Sequence, residues 1–218
     1  GSTQASSEVV AADSSITVNA VAALSGIVTG GADGSIVVTQ TTGSINSIAP
    51  VSAAGSGNIL LDASGALALN ADVASGSGNI TLVAGNGLSI ASGVSTITGA
   101  GDIFMDAGSG ALLQSSTSTT AAGENVRLVA TGDVTVAEVI ADKISVLSSA
   151  NIITAPGASL NLSASALRLD AGQAIGTGTD PLTLSVSELS AVANTGGIFL
   201  SESDDITVSS VGVTTDKV

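Results

Sequence analysis

"GSGNITLVAGNGLSIASGV", residues 76–94, follows "GSGNILLDASGALALNADV", residues 55–73, at a distance of 21 residues. Both open on Gly-Ser-Gly-Asn-Ile, and both then place aliphatic residues at the same offsets. Calling the opening aliphatic residue p, the later unit has Ile80, Leu82, Leu88, Ile90 and Val94 at p, p+2, p+8, p+10 and p+14. The earlier unit has Ile59, Leu61, Leu67, Leu69 and Val73 at the same five positions. The letters between them drift, while the aliphatic positions do not.

The pattern extends in both directions. Val126 is followed by Leu128, Val134, Val136 and Ile140, and Ile144 by Val146, Ile152, Thr154 and Ala158. Ile103 is followed by Met105, Ala111, Leu113 and Thr117, and Ile198 by Leu200, Ile206 and Val208. Looser units open at Ile16, Ile36, Leu160 and Leu182; in the one from Leu160 the second pair arrives a residue early, at Leu167 and Leu169. A spacing of two within each pair is strand alternation, not helical spacing. Gly, Ser, Asn and Asp fill the gap between the pairs, and these residues form turns. Openings 16 to 23 residues apart define a repeat whose units bury their apolar faces only against their neighbours.

Three short strands and three corners per period describe one coil of a parallel β-helix. The expected fold is therefore all-β, a right-handed parallel β-helix of about ten coils, the hand following from the usual chirality of parallel crossovers. Ten coils at a strand spacing of about 4.8 Å make a rod about 50 Å long. An antiparallel sandwich would also have short strands and turns, but it does not require two pairs at a constant eight-residue offset. No composition break divides residues 1–218, so one continuous segment is expected. Gly1-Ser2 reads as a cloning scar, and the chain as an excerpt of a longer protein.

Composition narrows function by exclusion. Hydrophobic residues make up 44% and aromatics 1%, so the core must be aliphatic. Four Lys and Arg stand against 18 Asp and Glu, a net charge of −14. Such a surface repels phosphate backbones and anionic lipid, which argues against nucleic-acid partners. No stretch reaches the roughly 18 apolar residues of a membrane-spanning helix, so no membrane insertion of this segment is expected. With no Cys and no His, disulfides, thiolate or imidazole zinc sites and His-based triads are excluded.

At "GNITLVAGNGLSIASGV" and at "GENVRLVATGDVTVAEV" (residues 123–139) the chain resembles the degenerate repeats of filamentous-haemagglutinin-like exoproteins and related autotransporter passengers. That resemblance covers about residues 35–210. It implies a right-handed β-helical shaft of a large bacterial surface or secreted protein, exported by a two-partner or type V route and commonly used in adhesion. Its implied location is extracellular. Its implied partners are other parts of the same long protein, a host or cell-surface receptor, or further copies of itself. The family has no universal binding motif to carry onto residues of this chain.

Candidate chemistry is sparse. "GGADGS" (residues 30–35) lacks the Gly-Lys-Ser/Thr ending of a phosphate loop and precedes a strand, so it reads as a coil corner. Asp102 and Asp106 form a carboxylate pair expected to point outward. Glu202, Asp204 and Asp205 in "SESDDITV" form the densest acidic cluster; it reads as a solvated corner, the alternative being weak calcium binding through its oxygens. Glycoside hydrolysis needs two opposed carboxyl groups, one with a raised pKa, and sugar platforms use aromatic rings that are nearly absent here. The expectation is a non-enzymatic chain with no cofactor; the alternative is a polysaccharide-acting β-helix enzyme or a ligand-binding β-helix surface. The single "TSTT" (residues 117–120) does not make the regular Thr ladder of an ice-binding face.

One outward feature departs from the small, polar exterior. Position p+1 must point away from the core, and successive coils put Val37, Leu60, Thr81, Phe104 and Arg127 there. Phe199, next to Ile198, is expected at the equivalent place. Leu60, Phe104, Arg127 and Phe199 therefore form a candidate contact stripe with both Phe rings exposed, open to a partner or a neighbouring part of the full-length protein.

Overall fold

A computed structural model describes residues 25–31 and 33–218. Every strand pairing among them is parallel apart from one isolated bridge, between Asn86 and Gly108. The chain is a parallel β-solenoid of about eight turns, each of about 22 residues. Each turn visits three faces. The unit expected from Ile16, together with Gly1-Ser2, lies outside the described residues, as does Ala32 within the glycine-rich corner.

The first face is set by the opening pairs. Ile36–Gln40, Ile59–Ala63, Ile80–Ala84, Ile103–Asp106, Asn125–Ala130 and Lys143–Ser148 stack in register. Alternation turns p and p+2 inward, and stacking lays each on its counterpart one coil away. Leu82 sits between Leu61 and Met105 and is fully buried, as the repeat requires. At p+4 the corner narrows and only small residues point inward: Ala63, Ala84, Ala107 and Ala130 are all buried. The recurrent Gly-Ser-Gly-Asn marks the corner that precedes this face. There Gly57, Gly78 and Gly101 stack so closely that a Cβ on Gly78 would collide with the carbonyl oxygen of Gly57. The glycines are thus required by coil-to-coil contact.

The second face, from Ile45–Ser47 to Ile152–Thr154, is a separate six-stranded sheet. Its inward ladder runs through Leu67, Leu88, Leu112, Val134 and Ile152, and isolated bridges extend it to Ile175 and Ile198. In the coil of Ile103 the strand falls one residue later than the repeat suggests. Leu112 and Gln114 point inward there, and Leu113 is exposed, in place of the expected Ala111 and Leu113. The added residue is absorbed in a corner where Gly108 takes a φ of 56° and its N–H is held by the Asp106 carboxylate at 2.8 Å.

The third face carries Val51, Val73, Thr96, Thr120, Val139, Leu162 and Leu184 as its inward ladder. Here the constant offset fails. Val73 and Val94 are buried, but Thr117 and Ile140 are exposed and Ala158 is half-buried. The reason is the corner between the second and third faces, whose length changes from coil to coil. Long loops such as the one around Thr117, which holds a φ of 63°, move the third strand relative to p.

Corner variation also accounts for the number of turns. Leu162–Ala171 and Leu182–Ala193 are long strands that run through the third face and on into the first. Leu167 and Leu169 continue the opening pairs of Ile144 and Val146, so they are not a second pair arriving early. Neither Leu160 nor Leu182 opens a coil on the first face, since Leu162 and Leu184 belong to the third-face ladder. Ile198 joins the second-face ladder. The first-face ladder continues instead through Leu189 to Val208. Eight steps from Ile36 to Val208 at about 4.8 Å give the described rod a length of about 40 Å, close to what the repeat count implied.

Candidate functional site

The carboxylates singled out in the sequence have structural partners. Asp102 is the fourth member of a corner ladder formed by Ser35, Asn58, Asn79, Asp102 and Asn125. Each side-chain oxygen accepts the backbone N–H of the next member: Asn58 from Asn79 at 2.7 Å, Asn79 from Asp102 at 2.9 Å, Asp102 from Asn125 at 2.9 Å. Short Asn and Asp side chains do this well at turns because their oxygen lies within reach of nearby backbone donors. Asp102 is buried, so it does not form an outward pair with Asp106, whose carboxylate holds the Gly108 corner. A second ladder links Asp133, Asn151 and the N–H of Ala174 at 2.9 and 3.1 Å.

The acidic cluster near the end of the chain does not converge. Glu202 turns back to the rod, its two oxygens accepting the N–H groups of Val186 at 2.8 Å and Ser203 at 2.9 Å. Asp204 and Asp205 are exposed beside Ser163, Ser165 and Ser185, along the rim of a shallow depression. Among the described residues no three acidic side chains are grouped to hold a metal ion.

The outward column is real in its register. Val37, Leu60, Thr81, Phe104, Arg127, Ser145 and Arg168 are aligned by successive pairings. Phe199 is not among them. It adjoins Ile198 on the second-face ladder, where its own N–H bonds to the Ile175 carbonyl at 2.8 Å and its ring rests near Gly178 and Gly197. The column therefore carries one Phe, not two.

Exposure is where the column departs from expectation. Val37 is 62% exposed and Leu60 is half-buried, yet Thr81, Phe104 and Ser145, which point the same way, are 3%, 3% and 2% exposed. Phe104 is not buried in its own coil, because Ile103 and Met105 beside it face inward as alternation demands. Residues from the other end of the chain cover it. The Lys217 ammonium stands 3.6 Å from the centre of the Phe104 ring. The N–H of Asp216 donates to the Asp102 carboxylate at 2.6 Å, and the N–H of Val218 donates to the Thr81 hydroxyl at 3.0 Å.

Residues 209–218 thus form a strap across the outside of the rod. They leave the first-face ladder after Val208, one coil beyond Leu189, and reach Thr81 six coils lower. Six steps of about 4.8 Å span about 29 Å, and ten extended residues reach about 33–36 Å. The strap must be nearly straight. Its burial alternates accordingly: Val211 is buried, Val213 and Thr215 half-buried, and Gly212, Thr214 and Asp216 exposed. The alternation in "VGVTTDKV" (residues 211–218) was the available sequence signal for this element.

The strapped face carries charges of both signs, with Asp62, Asp106 and Asp170 three positions after the opening residues of their coils. Arg127 and Arg168 belong to the column, Lys143 stands on the same face one position before Ile144, and Lys217 arrives with the strap. These are all four cationic side chains of a chain with net charge −14. Arg168 bonds Asp170 at 2.6 Å, the one ion pair among the described residues, while the Nε of Arg127 is buried without a hydrogen-bond partner. No family model, curated protein or solved structure matches the chain.

Proposed function

We propose that this chain is a non-enzymatic shaft segment of a bacterial secreted or cell-surface exoprotein of the filamentous-haemagglutinin-like kind, and that its work is to extend and present other parts of a longer adhesin. The supporting observation is the continuity of the stack. Aliphatic ladders run the length of the described rod, and the corner Asn and Asp side chains bind the next coil. The most suggestive carboxylate, Asp102, accepts two backbone N–H groups and so serves the stack. Repeats that contact only their neighbours add length without changing what lies at either end. The absence of Cys suits a chain that crosses a membrane unfolded and folds outside.

The test is a length-matched exchange in the parent exoprotein. Replacing this segment by an unrelated β-solenoid of equal rise should preserve cell binding, and deleting it should lower binding. Loss of binding in the length-matched exchange would contradict a shaft role and favour a receptor site on the rod itself. Cleavage of an acidic polysaccharide by the purified chain, abolished in Asp205→Asn, would replace the shaft reading by an enzymatic one.

A further inference from the structure

We infer that the outer column of the first face is a docking groove for an extended chain, and that the strap of a second copy can occupy it in place of the chain's own. The seated strap displays the chemistry the groove accepts. A basic side chain sits over Phe104, one backbone N–H reaches the Asp102 carboxylate, and another reaches the Thr81 hydroxyl. These contacts are made by three consecutive residues, Asp216, Lys217 and Val218, so the lower part of the strap can lift as a unit. Gly212 has open space around it and provides a pivot.

Three observations favour a second copy as the occupant. The segment that fits the groove is present in every copy. The groove continues below the end of the strap, where half-buried Leu60 and exposed Val37 prolong the same column. The surface beside the column carries Asp62, Asp102 and Asp106, a charge match for the Lys217 that a strap brings. Exchange of identical segments between protomers is a low-cost route to a dimer, because the contacts it needs already exist within one copy.

The test uses two full-length variants with complementary defects. Lys217→Glu/Val218→Pro spoils the strap, removing the cation over the ring and the N–H that Thr81 accepts, and leaves the groove open. Phe104→Ser spoils the groove and leaves the strap intact. Both changes lie outside the core, and circular dichroism establishes that each chain is folded. Should the Val218→Pro chain fold poorly, Lys217→Glu alone serves as the strap-defective partner. Sedimentation velocity of each variant alone should show monomer, and an equimolar mixture should show a one-to-one dimer. A fluorescent peptide of residues 209–218 should bind the open-groove chain at least tenfold more tightly than the same chain carrying Phe104→Ser. A mixture that stays monomeric, or a peptide that binds both chains equally, overturns the inference.

Discussion

Leu82 and Phe104 are neighbours on adjacent strands of one sheet, and both are buried, but for different reasons. Leu82 is buried by its own coil and the coils on either side, a consequence of period-two alternation and parallel stacking. Phe104 points the other way and is buried by Lys217 and its neighbours, more than 110 residues further along the chain. The inward ladder is a local property repeated many times. The covered column is a single long-range contact that repeats nowhere. The two kinds of burial should fail differently, and they were not equally legible in the sequence.

The largest difference is expected on charging the two sides of one strand. Leu82→Asp puts a carboxylate without a partner between Leu61 and Met105, costing several kcal/mol. It should unfold the rod or lower its melting temperature by tens of degrees. Thr81 is covered only by the strap, which can lift and return the carboxylate of Thr81→Asp to water, so that change should cost no more than about 0.5–3 kcal/mol. Equal tolerance of the two changes in a thermal melt would break the distinction between ladder and column.

Corner changes should come next. Gly78→Ala forces a methyl against the Gly57 carbonyl oxygen, and overpacking of this kind costs about 1–3 kcal/mol. Asn79→Ala removes the acceptor of the Asp102 N–H. Leaving a buried donor without a partner costs about 1–3 kcal/mol. Both should appear as lower denaturant midpoints with unchanged slope. An Asn79→Ala chain as stable as the parent would show that the corner ladder does not hold the coils together.

A more local effect is expected from Phe104→Ser. The ring is buried by the strap, where a cation–π contact contributes about 2 kcal/mol, so the melting temperature should fall by a few degrees. Backbone hydrogen exchange should rise at residues 211–218 and stay slow at Leu82. A global rise in exchange would mean that the ring supports the rod itself. The smallest effect is expected from calcium. With Glu202 bonded to Val186 and Ser203, a millimolar addition should leave the melting temperature unchanged. A site with a dissociation constant near 10 µM would instead add about 2.7 kcal/mol at a hundredfold excess, and loss of that gain in Asp205→Asn would establish one.

These contrasts explain what could be read from the letters. The opening pairs and the burial of Leu82 followed from alternation, since each is imposed by the residues next to it. The coil of Ile103 was misplaced by one residue at Leu112, and Ile140 was assigned inward, because corner length is set by turn geometry that aliphatic spacing does not record. The long strands holding Leu167 and Leu189 hid their boundaries, as no turn residues separate the third face from the first there. The alignment of Phe104 with Arg127 was legible; its cover was not. Nothing near Phe104 names Lys217. Only the alternation of "VGVTTDKV" marks that segment as extended chain that must lie on something.

The strap is tested most directly by cysteines placed in a chain that has none. The bond from the Val218 N–H to the Thr81 hydroxyl, 3.0 Å long, brings the two residues within disulfide reach. Thr81→Cys/Val218→Cys, oxidised at low protein concentration, should form an intramolecular disulfide in most molecules. The product should sediment as a monomer and leave no thiol for maleimide. Two free, fully labelled thiols in a folded chain would contradict the strap, and with it the account of why Phe104 is buried.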